Sequence, residues 1–232
     1  MRIGRRKTGW LGGPDAMKWP DVNSPPSGAA NMSDTKTNQQ ILERLFSVLE
    51  DGILPKTRAG VSGGNKLFGA AILRKDDLSL VIAETNNETE NPLWHGEVHC
   101  LKRFYEMPAD QRPATSELIF LSTHEPCSMC LSAITWAGFD NFYYFFSYED
   151  SRDAFAIPHD LKIMKEVFTL EDGEYNKSNA FWDSHSMMGM VAEMPEDEKE
   201  AYIARAKAIS DEYDALSAQY QDSKSENDIP LN

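Results

Sequence analysis

His95, Glu97, Cys127 and Cys130 are the residues of this chain whose types and spacing could do chemistry. They fall in His95-Gly96-Glu97 and, farther along, in Pro126-Cys127-Ser128-Met129-Cys130. Imidazole nitrogen and thiolate sulfur are ordinary zinc ligands, and three protein ligands leave a fourth tetrahedral position for water. A structural zinc site is closed by four ligands; one with three is built for catalysis. Two thiolates and a neutral imidazole cancel the charge of Zn2+, so a base beside the water helps. Glu97 is that base, and the expected chemistry is metal-assisted hydrolysis with Glu97 carrying protons. A competing metal pair, His95 with His99, fails on spacing: the H-E-x-x-H pattern puts Glu directly after the first His, and here Gly96 stands there.

These residues need two helix starts. Cys127 and Cys130 are three apart, so in a first helical turn they point the same way. A helix N-terminus also favours the thiolate form. Pro126 opens that helix and Gly138 ends it. On the helix over 96–106, Val98, Leu101, Phe104 and Tyr105 share an apolar face, and Glu97 falls among them. A buried, unpaired carboxylate is costly unless it has a task. Residues two apart diverge by roughly 200° in mid-helix, so His95 must lie at the helix start to share a site with Glu97.

The remaining elements read as follows. Residues 37–50 form a helix ended by Gly52 and Pro55, and a glycine-rich loop follows. Strands are expected over 67–74 and 78–83 around a Lys75-Asp76-Asp77 turn, over 117–123, and over 142–146. A helix covers 161–168, and 167–170 continues into a last strand. An acidic helix over 196–220 carries a stripe of Tyr202, Ala206, Ile209, Tyr213, Leu216 and Tyr220. The fold class is α/β, a three-layer α/β/α sandwich around a mixed, about five-stranded sheet. Residues 1–36 read as disordered or non-native, with Met1, Met17 and Met32 all possible starts; 37–185 form the zinc domain and 186–232 an acidic helical extension. That extension either docks on the protein's own core or forms an oligomer contact.

The bulk numbers narrow the partners. The formal net charge is −14 and the sequence pI about 4.8. Residues 190–232 alone hold eleven acids against four bases. An acidic surface repels phosphate backbones, so a nucleic-acid partner is not expected. No apolar run approaches the ~20 residues of a membrane span, and no apolar segment of a secretory signal follows the N-terminal arginines. Three cysteines, two of them in C-x-x-C, do not make a disulfide framework; they fit metal binding in a reducing, cytoplasmic setting.

The order H-x-E…P-C-x-x-C is the signature of zinc-dependent nucleobase deaminases. LFGAAIL, NPLWHGEVHCL, THEPCSMCLSAITWAG and SYEDSRDA make roughly residues 38–182 resemble the cytidine deaminase-like superfamily, especially guanine deaminases and related nucleoside deaminases. NPLWHGE departs from the family's usual D-P-T-x-H-A-E: Leu93 and Trp94 replace small residues, and Gly96 replaces Ala. The resemblance implies that His95, Cys127 and Cys130 hold zinc and that Glu97 transfers protons. It implies substrate contacts from Asn86 (or Asn87), which would hold the base, from Phe68, which would stack on it, and from Trp94. Asp160 is the nearest match to an acidic residue that selects guanine in relatives. The implied activity is hydrolytic deamination of a free nucleobase or nucleoside, guanine- or cytosine-like, by a homodimer. The alternatives are a tRNA adenosine deaminase and, from another class, a non-catalytic zinc-binding interaction protein.

Overall fold

The computed structural model describes residues 37–231; the expectation for 1–36 lies outside them. Helix α1 (Asn38–Ser47) begins with Thr37, whose hydroxyl accepts from the Gln40 amide while the Gln40 side chain accepts from the Thr37 amide. This reciprocal cap satisfies two otherwise orphaned donors. The chain does not leave the helix at Gly52 and Pro55. It widens into a π-helical stretch, Val48–Ile53, and resumes as α2 (Leu54–Ser62) with Pro55 in the first turn. There the missing N–H of proline has no intrahelical partner to lose. Pro55 therefore starts a helix where the sequence reading has it end one.

Five strands form one sheet in the order β2-β1-β3-β4-β5. They are β1 (Gly69–Arg74), β2 (Leu80–Thr85), β3 (Leu118–His124), β4 (Asn141–Phe146) and β5 (Asp183–Ser186). β1 pairs antiparallel with β2 and β3, while β3, β4 and β5 are parallel. The sheet is thus mixed, as expected. Its last strand is not at 167–170: after the short helix α5 (Tyr148–Asp153), that segment ends helix α6 (His159–Phe168) with Thr169 in a left-handed cap. β5 instead uses the polar segment Asp183-Ser184-His185-Ser186, an edge strand with no apolar alternation to announce it. The expected division between residues 185 and 186 falls inside this strand.

Side chains alternate across the sheet and divide the core in two. Ala71, Leu73, Ile119, Leu121, Tyr143 and Phe145 face α1, α2, α7 (Met187–Ala192) and α8 (Glu196–Ser223). Ala70, Ile72, Leu118, Phe120, Phe142 and Tyr144 face α3 (Gly96–Tyr105), α4 (Ser128–Ala137) and α6. All six residues of β4 are buried, which explains its near-continuous aromatic run. The α8 stripe Tyr202, Ala206, Ile209, Tyr213, Leu216 and Tyr220 is buried in the first of these cores. Its partner surface is the protein's own: the sheet, α1 and α2. Arg205 ties α8 to α1 through Glu43 and to the π-helical stretch through Glu50.

Candidate active site

The site lies where α3 and α4 begin, beside the ends of β1 and β3. His95 is the N-cap of α3, with extended backbone angles (φ −59°, ψ 157°). That non-helical geometry lets it share a site with Glu97. Cys127 is the N-cap of α4 and Cys130 lies in its first turn. His95 Nδ1 is 3.6 Å from Cys127 Sγ and 3.8 Å from Cys130 Sγ, and the three ligand atoms all lie within 4.8 Å of one another. A tetrahedral zinc with ordinary Zn–N and Zn–S lengths keeps its ligand atoms about 3.5–3.8 Å apart. The donor set therefore fits zinc in both type and spacing. Cys127 is held well below the usual thiol range by hydrogen bonds from Cys130 and His95.

Two close approaches set this geometry. A Cβ on Gly96 would lie 2.6 Å from Gly69 Cα, and one on Gly69 would lie 2.4 Å from Ile53 Cγ2. Both are below any real contact, so Gly96 lets the start of α3 press onto β1, and Gly69 lets Ile53 of the π-helical stretch pack on the same strand. This accounts for Gly96 where the resembling family usually has Ala. On the other side, buried Glu125 fixes the loop before Cys127. It accepts from Tyr175 Oη and Lys177 Nζ, each at 2.8 Å, and from the Tyr148 amide at 3.1 Å.

Glu97 is 4% exposed and stands outside the ligand trio. Ser122 Oγ donates to its Oε1 at 2.9 Å, and Oε2 lies 3.3 Å from Cys130 Sγ. Burial raises its pKa, and the Cys127 thiolate adds to the effect. Ser122 orients Oε1, and Oε2, which accepts from Cys130 Sγ here, would be released to exchange a proton once Cys130 is a thiolate on the metal.

A cavity of about 280 Å³ opens onto His95 and Cys127. Phe68 and Asp160 line it. Phe68 sets its ring edge-on to His124, with centroids 4.5 Å apart. Burial, and then the Cys127 thiolate, push Asp160 up to about 7. Asn86 and Trp94 are not among the lining residues. Asn86 is 2% exposed, and its amide is engaged at both ends, accepting from the Gly96 N–H and donating to Glu88 Oε2. The short loop to His95 thus makes Asn86 a brace for the helix start. Trp94 stacks on His99 with Lys102 over its ring, and His99 bonds the Thr85 carbonyl at 2.8 Å. Lys66, Glu88, Pro230 and Leu231 also line the cavity. None carries a motif in the sequence, since each reaches the site only through the fold.

Comparison with known proteins adds to this geometry. Residues 48–146 match the family model described as the cytidine and deoxycytidylate deaminase zinc-binding region. A comparison with curated proteins finds no match. Among solved structures, the chain is similar to a guanine deaminase from Nitrosomonas europaea, with 20% identity over 84% of this chain and 90% of that one and a TM-score of 0.45. It is also similar to a tRNA:A34 deaminase (18% identity, 65% and 99% covered, TM-score 0.40). A third similarity is to a dCMP deaminase from the cyanophage S-TIM5 (14% identity, 65% and 99% covered, TM-score 0.37). The matched segment contains all three ligand residues and Glu97, and their cluster has the spacing that zinc requires. Residues 48–146 of this chain are thus similar to the cytidine and deoxycytidylate deaminase zinc-binding region.

Proposed function

We propose that the protein is a hydrolytic deaminase that converts an amino-heterocycle, a free nucleobase or nucleoside of guanine or cytosine type, to the oxo product and ammonia. The observation that carries this reading is Glu97: a buried carboxylate, oriented by Ser122, beside a His-Cys-Cys trio it does not belong to. His95, Cys127 and Cys130 hold zinc, which when bound supplies a Lewis acid that makes a water more acidic. Glu97 Oε2 accepts a proton from the attacking water. It returns that proton to the ring nitrogen next to the amino-bearing carbon, and carries a second one to the departing amine. Water supplies the new oxygen and ammonia leaves, so atoms balance without a further reactant.

Phe68 gives the ring an aromatic edge, and Asp160 accepts from a ring N–H. The cavity's volume suits a base or small nucleoside rather than a larger ligand. Asn86 and Trp94 act indirectly, through the start of α3. A homodimer in a reducing compartment completes the reading. Among the described residues no helix is long and apolar enough to cross a membrane.

The test is ammonia release from a panel of free bases, nucleosides and tRNA. We expect guanine, cytosine or a nucleoside of either to be turned over faster than any tRNA adenosine. Salt-sensitive tRNA binding with inosine as product would reverse that order, and zinc-loaded protein inert toward the entire panel would leave a non-catalytic role.

A further inference from the structure

Lys66 has no part in the mechanism above, yet it is 6% exposed and lines the cavity. Burying an ammonium is costly unless it is paired. Its partner is Glu88, 3% exposed, whose Oε1 accepts from Lys66 Nζ at 2.9 Å. Glu88 Oε2 accepts from Asn86 Nδ2 at 2.7 Å and from the Lys66 amide at 3.3 Å. The carboxylate thus grips Lys66 at both its backbone and its side chain. The same Oε1 lies 3.7 Å from His95 Nε2, while His95 Nδ1 faces the two sulfurs. Ammonium and imidazole therefore flank one carboxylate oxygen, and Lys66 and His95 line the same cavity.

A lysine ammonium has three donors and no acceptor. Glu88 takes one of them, and Lys66 borders the cavity with the other two still to be matched. The group they meet must be an acceptor. Glu88 already balances the lysine's charge, and Asp160 and Glu97 stand nearby, so an anionic group on the ligand would be left uncompensated. A neutral carbonyl oxygen meets the requirement. Resting on the deaminase reading, we propose that Lys66 is a specificity-determining residue that donates a hydrogen bond to an oxo group of the ring. The site then selects amino-heterocycles that carry a carbonyl over those that do not. Glu88 is the positioning residue that holds Lys66, with its Oε1 3.7 Å from His95 Nε2.

The experiment uses matched substrates on the zinc-loaded enzyme: cytosine against 4-aminopyrimidine, and guanine against 2-aminopurine. Wild type should favour the oxo member of the pair it accepts. In Lys66→Met, kcat/KM for that member should fall about 10- to 150-fold, the range for a hydrogen bond to a charged group, while the oxo-free analogue changes less than about threefold. Lys66→Gln, which keeps a donor, should recover part of the loss. Because Lys66→Met strands Glu88, the variant Lys66→Met/Glu88→Gln removes both charges together, with zinc content and melting temperature read alongside. An unchanged preference, or equal losses on both members of a pair, overturns the proposal. If wild type turns over no ring, calorimetry of uracil and xanthine on the zinc-loaded protein decides. Weaker binding to the double variant than to wild type supports Lys66 as the carbonyl donor and counts only against the deaminase reading. Equal binding, or none to wild type, overturns it.

Discussion

Glu97 and the ligand trio make separable demands on the chain. Glu97→Gln keeps the size and the Ser122 contact but cannot accept a proton. It should retain about one zinc per chain and lose at least about 10²-fold in turnover, the lower end of general acid–base contributions; retained turnover with full zinc would remove Glu97 from the mechanism. Cys127→Ser should behave in the opposite way, losing metal first and stability with it, because metal binding is linked to folding; elemental analysis and thermal melting read both. Gly96→Ala tests the close approach of α3 to β1. Its Cβ would meet the Gly69 backbone at 2.6–2.8 Å, so strain of about 1–3 kcal/mol should displace His95 and weaken zinc binding without touching a ligand. The residues legible in the sequence were those whose partners lie within a helical turn or belong to a fixed motif. Lys66 and Glu88 were not, because two charged residues in separate loops have no period that predicts their burial together. Asn86 was legible as a residue of the site but not in its role, which depends on how short its loop is.

Elements announced themselves by apolar period, and failed to where something other than period decided. β4 was legible because both its faces are buried, and α8 because its stripe repeats. β5 was not, since a polar edge strand is set by the neighbour it pairs with. Proline at 55 reads as a stop until its place in a first turn is known. At the end of β3, His124 is 2% exposed, packed among Phe68, Phe146, Phe155 and Tyr213. Thr123 Oγ1 meets its Nδ1 at 2.8 Å, and Nε2 has no partner among the described residues. Burial holds its pKa well below the usual histidine value. The folded state therefore refuses a proton that the unfolded state takes up near pH 6.5. Stability is fully present above that pH and is lost as pH falls below it, at about 1.4 kcal/mol per pH unit from this one group. His124→Met should be less stable than wild type at pH 8 through lost packing, and the gap should narrow steadily from pH 6.5 downward. Urea melts of both proteins across that range give the difference directly, and a gap independent of pH would mean that His124 titrates normally.

At the scale of the whole molecule, the C-terminal segment belongs to both the core and the site. Every zinc ligand lies upstream of residue 190, which taken alone would let zinc binding survive removal of residues 190–232. The structure gives a reason to expect otherwise. Tyr202, Ile209, Tyr213, Leu216 and Tyr220 are all less than 9% exposed and close one face of the sheet. Truncating a single large core side chain costs about 2–5 kcal/mol, against a total stability of about 5–15 kcal/mol. Losing five at once exceeds what a domain can absorb, so that deletion should yield unfolded or aggregated protein with weak zinc binding. A much smaller cut separates the two roles. After α8 the chain turns back toward the cavity. Asn227 Nδ2 donates to the Gly64 carbonyl at 2.9 Å and Asn227 Oδ1 accepts from the Ile229 amide at 3.0 Å. Ile229 is buried at 6% exposure, and Pro230 and Leu231 line the cavity itself. Ending the chain after Asp228 removes this wall while keeping α8 and the Asn227 anchor. The shortened protein should hold its zinc and keep most of its melting temperature, since one buried isoleucine is lost. Its KM should rise and its kcat change less, because the apolar wall that excludes water around the ring is gone while Glu97 and the ligands stay in place. Steady-state kinetics with zinc analysis on the truncated enzyme decide the matter: an unchanged KM would show that the tail borders the cavity without helping to hold what binds there.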